Sequence, residues 1–407
     1  VWCNAGVQAK EEFMAALDGL RILDLTQYEA GTSCTQMLAW LGAEVVKVEQ
    51  PGAGDPGRHT EYGLGDSLYF LTFNANKRSL TLNLATEEGK RIFLELLPQF
   101  DVVTENFSLG TMEKLGLGYE TLKQIHPGLI YGTVKGFGLS GPYASFHSYE
   151  LVAQAAGGVF SVTGEPGEPP HRSGVGVGDT GSGMALAIGI LSAYIQRERT
   201  GEGQLVEVAQ QEAVLNHMRM QFSLRERTGD PVPRRGNRST VPTDMFPSAP
   251  GGPNDYIYLH VTVRHMLDAL YLAIGHPELT IDPRFETPQA RTKHGDELWE
   301  IIAEWTRQRT KYEAMEILGN AGVPCGAVLD SGDIWKDQHL RERGAIRTMH
   351  HPVRGDWDFP APPMRLSASC VDLVPSPELG QHTDQVLEEK LGMASDEVAK
   401  LRELGVV

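Results

Sequence analysis

The sequence predicts an α/β fold in which a large domain built on a parallel sheet is followed by a smaller α+β domain. Three observations carry this. Strand, turn, helix and strand patterns succeed one another within about thirty residues from Leu20 to Glu49, which marks a βαβ unit. The same alternation continues to Val134. Ser223 to Pro242 then breaks the pattern with five arginines and three prolines, and a second, mixed set of elements follows.

Taken in order, Leu20 to Leu25 reads as a strand, Thr26 to Thr32 as a turn, Ser33 to Gly42 as a helix and Ala43 to Glu49 as a second strand. Arg78 to Leu84 is a strand, Thr86 to Leu97 a helix, and Asp101 to Thr104 a strand running into Glu105-Asn-Phe107. Two short helices, Gly110 to Leu115 and Tyr119 to Ile125, precede the strand Leu129 to Val134, which ends in the glycine-rich loop from Lys135. Ligands in open α/β sheets bind beyond the carboxyl ends of the strands, so the turns at Tyr28–Gly31, Glu105–Phe107 and Lys135–Phe137 are expected close together. Gly174-Val-Gly-Val-Gly-Asp179-Thr-Gly-Ser-Gly183 opens a long apolar helix, followed by a strand at Gly203–Ala209 and a helix at Glu212–Phe222. In the second domain Tyr256 to Val261 is a strand, and helices cover Arg264–Ile274, His294–Trp305 and Lys311–Ala321. Extended chain rich in proline and glycine is expected from Ser331 to Ser367, before a C-terminal helical pair.

Composition narrows the function. Acidic residues outnumber basic ones 53 to 36, a net charge of −17, which argues against a nucleic-acid partner. Positive potential must then be built locally wherever an anion binds. No apolar run is long enough to span a bilayer, so no membrane partner is expected. Cys3, Cys34, Cys325 and Cys370 show neither a disulfide framework nor zinc spacing, which fits a reducing, cytoplasmic setting. The first thirteen residues carry no signal-peptide core, and Met14 precedes the first convincing element.

Gly176-Val-Gly-Asp-Thr-Gly181 has the G-x-G-x-x-G spacing of a dinucleotide site, but proline-rich loop precedes it where that fingerprint needs a strand. No metal-ligand spacing and no P-loop is present. Asp179, surrounded by glycines at a helix start, suits an exposed anionic nucleophile or a plain N-cap. His147 reads as an acid/base or a solvated loop histidine. Arg172, Arg235 and Arg238 lie in loops and either pair with a substrate carboxylate or phosphate or are solvated.

In order along the chain, Leu17-Asp-Gly-Leu-Arg-Ile-Leu-Asp-Leu25, Leu41-Gly-Ala-Glu-Val-Val-Lys-Val-Glu49, Ser67-Leu-Tyr-Phe70, Asn76-Lys-Arg-Ser79, Val134-Lys-Gly-Phe137, Arg199-Thr-Gly-Glu-Gly-Gln204, Val323-Pro-Cys-Gly326 and Leu379-Gly-Gln-His-Thr-Asp384 resemble the family III CoA-transferases. The resemblance implies a Rossmann-like large CoA-binding domain over 14–222, completed by a C-terminal return at 345–407. A linker at 223–242, a small α+β domain at 243–330 and a return linker at 331–344 complete the chain. It also implies an interlocked dimer, with itself or with a homologous subunit. Asp179, within Gly178-Asp-Thr-Gly-Ser-Gly183, takes the nucleophile's place, passing through an acyl-aspartyl anhydride and an aspartyl-CoA thioester. Its pKa is expected near normal, with glycine-loop N–H groups as oxyanion donors. Ala30, Gln50, Asn106, Phe107, Lys135 and Gly178 map to CoA contacts, Lys135 as a phosphate partner; CoA is a substrate, with no tightly bound cofactor. Arg172, Arg238 and His147 are the expected substrate contacts. Glu29, counted with Asp179 as catalytic, would repel a small anion unless paired or protonated. That favours a C4 or larger dicarboxylic acid, with succinyl-CoA as donor, over formate or oxalate. Two alternatives are an α-methylacyl-CoA racemase-type use of His147 and Asp179, and a subunit of a hetero-oligomeric transferase.

Overall fold

The structure is a computed structural model and describes residues 14–61, 65–353 and 355–407. The reading of residues 1–13 lies outside them. The described chain divides into two compact units. One takes in the residues through Phe160, Arg172–Val232 and Arg343–Val407; the other comprises Ser161–His171 and Pro233–Glu342.

The first unit is built on six parallel strands: β1 (Arg21–Asp24), β2 (Glu44–Glu49), β3 (Arg78–Thr81), β4 (Val102–Glu105), β5 (Ile130–Lys135) and β6 (Leu205–Ala209). Their order is β3-β2-β1-β4-β5-β6, the doubly wound arrangement whose order reverses between β1 and β4. Successive residues face opposite sides. Leu23, Val46 and Val103 pack with Leu80, Phe93, Val386 and Leu387 on one face. Ile22, Val45 and Val102 pack with Cys34, Leu38, Leu186 and Ile190 on the other. Helix Ala30–Trp40 therefore lies against helix Asp179–Thr200, and Gly183 makes the approach possible: a Cβ there would stand 2.1 Å from Ser33 Oγ and 2.6 Å from Ala30 O.

The second unit holds an antiparallel sheet of β7 (Asp244–Pro247), β8 (Tyr256–Leu259) and β9 (Cys325–Ala327). Helices Arg264–Ala273, Gly295–Arg307 and Lys311–Asn320 bury Leu270, Leu298, Ile302 and Leu318 with Phe246 and Ile257.

Several local expectations need correction. The first helix begins at Ala30, three residues before the Ser33 read as its start, because Glu29 occupies the N-cap without a side-chain cap bond to announce it. The expected linker at 223–242 opens as helix, Arg219–Thr228, which ends at left-handed Gly229. The expected return linker at 331–344 holds helices Ser331–Lys336 and Gln338–Glu342; Asp330 caps the first by accepting the N–H groups of Gly332 and Asp333. Glycine and proline counts conceal such a cap, and they also conceal the hairpin of β10 (Ile346–His351) and β11 (Gly355–Pro360). Cys370 is disulfide-bonded while Cys34 and Cys325 are free; pairing depends on the fold, so spacing does not display it. Among the described residues no helix is long and apolar enough to cross a membrane.

Candidate active site

Four strands end at one place. The turns after β1 and β4, the last residue of β5 and the first residue after β6 border a cavity of about 400 Å³, at the reversal point where such sheets bind ligands. Of the residues singled out in the sequence, Ala30, Asn106, Phe107, Lys135, His147 and Asp179 line it.

The turn after β1 is held by buried charge. Lys47 Nζ bonds Thr26 O at 2.6 Å and pairs with Asp55 at 2.8 Å, while Lys77 pairs with Asp24 at 2.9 Å. Asp55 Oδ1 then accepts the N–H of Tyr28, whose φ of +58° lies in the left-handed region. Asn106 Oδ1 takes the N–H of Gln27 and its Nδ2 donates to Gln27 O, both at 2.8 Å, which joins the β1 and β4 turns. These bonds fix where the helix starting at Ala30 begins, and with it the position of Glu29.

Asp179 is the first residue of its helix, after Gly178 at the N-cap. Its side chain does not cap. Asp179 Oδ1 accepts from Gln210 Nε2, and the orphan N–H groups of Gly178 and Asp179 both donate to Glu150. The expected oxyanion donors are therefore occupied by a carboxylate. Glu29 Oε1 accepts the Thr180 hydroxyl at 2.7 Å. Burial, then the charges of Glu29 and Glu150, push the Asp179 carboxyl up to about 7, against the Gln210 bond. This corrects the expectation of a near-normal value: a carboxylate nine-tenths out of water with two like charges beside it resists ionisation. Burial also raises the Glu29 carboxyl, with Thr180 opposing and Glu150 adding to the rise. Tyr69, hydrogen-bonded to Glu29, has its phenol pushed up by burial and by Glu29 and Asp179.

Other expected roles change. Lys135 is buried, and its Nζ bonds Glu105 Oε1 at 2.8 Å, Glu105 Oε2 at 2.7 Å and Phe107 O at 2.6 Å. An ammonium has three donors, so none is left for a phosphate. Gln50 and Arg172 are exposed and lie outside the cavity lining. Arg238 belongs to the second unit, where Asp244 and Asp296 hold it at 2.9 and 3.0 Å. Glu150, Gln210 and Tyr69 were not singled out. Gln210 follows β6 directly, so the strand-end rule would have found it; nothing local ties Glu150 to a backbone 29 residues away.

The profile of CoA-transferase family III matches residues 17–383. The chain belongs to that family. It is 41% identical over 408 residues to a protein named formyl-CoA:oxalate CoA-transferase from Streptomyces coelicolor, covering 96% of this chain and 99% of that one. A Streptomyces avermitilis protein of the same name is 42% identical, again over 96% and 99%. A solved structure titled as a CAIB/BAIF family protein from Brucella suis superposes with a TM-score of 0.82 at 32% identity, covering 92% of this chain and 99% of that one. This family III chain is accordingly a CoA-transferase acting on acyl-CoA and carboxylate substrates, as the sequence motifs implied.

Proposed function

We propose that the transfer runs through Asp179. Its carboxylate attacks the thioester carbonyl, the C–S bond breaks, and an acyl-aspartyl anhydride and CoA thiolate result. The thiolate attacks the aspartyl carbonyl, releasing the donor acid and leaving an aspartyl-CoA thioester. The acceptor carboxylate attacks that thioester; the thiolate it frees then attacks the acceptor's acyl carbon, restoring Asp179. No proton is gained or lost overall, and each step is an acyl transfer. The observation that carries this is Asp179 at the cavity wall, with the Gln210 amide fixing one oxygen. That amide, the one neutral donor to the carboxylate among the described residues, is placed to stabilise the oxyanion formed there.

Hydroxylamine trapping during turnover should leave a hydroxamate on the peptide containing Asp179. Unimpaired turnover by Asp179→Ala would end the proposal.

For the acceptor, the primary reading is a C4 or larger dicarboxylic acid with succinyl-CoA as donor. A second reading, formyl-CoA with oxalate, is favoured by the names of the two Streptomyces relatives. It gains from Glu29 as well, because a carboxyl engaged by Thr180 and raised by burial repels a small dianion less. Comparing kcat/KM for oxalate and succinate decides: a tenfold lead, about 1.4 kcal/mol of transition-state binding, selects one. His147 and Asp179 share the cavity, yet the Asp179 oxygen bonds Gln210 rather than the imidazole, which gives the racemase-type alternative no support.

Self-association belongs to the same proposal. Met184, Ile188 and Ile195 form an exposed apolar stripe on the Asp179–Thr200 helix, and Leu215, Met220 and Phe222 are exposed on the next two helices. Such surface on a chain this charged calls for a partner, and an interlocked second copy is the one proposed. Sedimentation showing a monomer at micromolar concentration would refute it. A cytoplasmic location, where acyl-CoA thioesters are drawn on, is part of the same proposal, and the Cys370 disulfide weighs against it; cell fractionation decides.

A further inference from the structure

A second pocket lies at the other end of the helix that starts at the cavity. Ala30 lines the Asp179 cavity, whereas Trp40, its last residue, and Leu41 line a separate pocket of about 80 Å³. Over 11 residues at about 1.5 Å each, the two are roughly 15 Å apart.

Arg343, Arg347 and Arg365 all line this second pocket, and among the described residues no carboxylate does. Elsewhere the acidic surplus finds its cations: Arg58, Arg78, Arg91, Arg197, Arg238 and Arg284 each pair with Asp or Glu. Among the described residues Arg347 and Arg365 bond only to backbone carbonyls, Gly344 O at 3.3 Å and Arg343 O respectively, and the exposed Arg343 side chain lines the pocket beside them. The indole Nε1 of Trp40 is also buried without an acceptor. Three like charges line one pocket beside the apolar side chains of Met364 and Leu373, with no carboxylate among the described lining residues to offset them. Such an arrangement is stabilised when an anion enters.

We propose that this pocket binds a single phosphate dianion, separately from the thioester. Guanidinium forks match a tetrahedral oxyanion bidentately, and a dianion offsets three cations better than a carboxylate does. The volume admits one phosphate group and excludes a nucleotide. Bound there, phosphate ties the 343–373 segment to the carboxyl end of the Ala30–Trp40 helix.

The probe is inorganic phosphate, titrated calorimetrically into the full chain in a phosphate-free, low-salt buffer. One phosphate should bind per chain and raise Tm. Arg347→Gln/Arg365→Gln should weaken binding at least tenfold. Should that variant fail to fold, the exposed Arg343→Gln should still weaken it at least threefold while leaving turnover unchanged. Saturating CoA should not displace the phosphate. Binding unaltered in either folded variant, or lost on adding CoA, would overturn the assignment.

Discussion

The Glu150 carboxylate accepts the backbone N–H of Asp179 while adding its negative charge to the field at that residue's side chain. Capping and catalysis pull in opposite directions here: the cap secures the helix start, and its charge makes Asp179 harder to ionise. Glu150→Gln keeps an acceptor for one N–H and removes the charge. The apparent pKa governing kcat/KM should fall, so the variant gains relative activity at pH 6 over pH 8. Glu150→Ala should instead lose about 1–2 kcal/mol of stability through the missing cap, read as a lowered denaturant midpoint.

Wild-type activity should rise with pH through about 7, because the nucleophile is the ionised form and Asp179 is held near that value. Stability moves the other way. A folded pKa of about 7 against 3.8 for the free group means that the favourable contribution is full below pH 3.8 and is lost as pH rises through 7. Asp179→Asn should therefore raise Tm at pH 8 and leave it nearly unchanged at pH 3.5. About three pKa units at about 1.4 kcal/mol each set a ceiling of about 4 kcal/mol on the gain. Equal Tm shifts at both pH values would contradict the assignment.

Gln210→Leu removes the one bond that favours the ionised Asp179. Its pH profile should shift upward, and kcat should fall about tenfold to a hundredfold, in keeping with a lost transition-state donor. A change in KM alone would show that Gln210 only shapes the cavity.

Lys135→Met leaves Glu105 buried and unpaired, at a cost of about 3–5 kcal/mol. Adding Glu105→Leu should restore most of that stability. If Lys135 were instead a free phosphate partner, the single variant would keep its stability and lose CoA affinity; comparing chemical denaturation with KM for CoA separates the two.

The strand pattern was readable because each βα unit announces itself within thirty residues. Ile22 and Leu23, facing opposite sides of the sheet, already predict a sheet covered on both faces. The cavity's rim was readable for the same reason, since strand ends fall together once the order is known. What the chain concealed was pairing at a distance. Lys135 looks like a free cation until Glu105 is placed beside it on the neighbouring strand, and Asp179 looks like a cap until Glu150 arrives from the start of the Glu150–Ala156 helix. Arg238 was misjudged for a further reason: two nearby carboxylates hold it in its own unit. Composition fixes how many charges exist, whereas only the fold decides which of them remain available.

One face of the sheet is finished late. Leu80 and Phe93 share their core with Val386, Leu387 and Val398, Thr81 N donates to Thr383 Oγ1, and Asn83 N donates to Val406 O. More than 300 residues separate these partners. During synthesis β1 to β6 can pair and Ile92, Phe93, Met112 and Leu122 can cover part of this face, yet the part that Val386, Leu387 and Val398 cover stays open while the whole second unit is being made. At about 5–20 residues per second, that interval lasts tens of seconds, during which the nascent chain must be kept from sticking to its neighbours. The Thr383–Leu391 and Ser395–Glu403 helices are the last part of this face's cover to be made, and a ribosome that stalls before them leaves that part of the sheet bare.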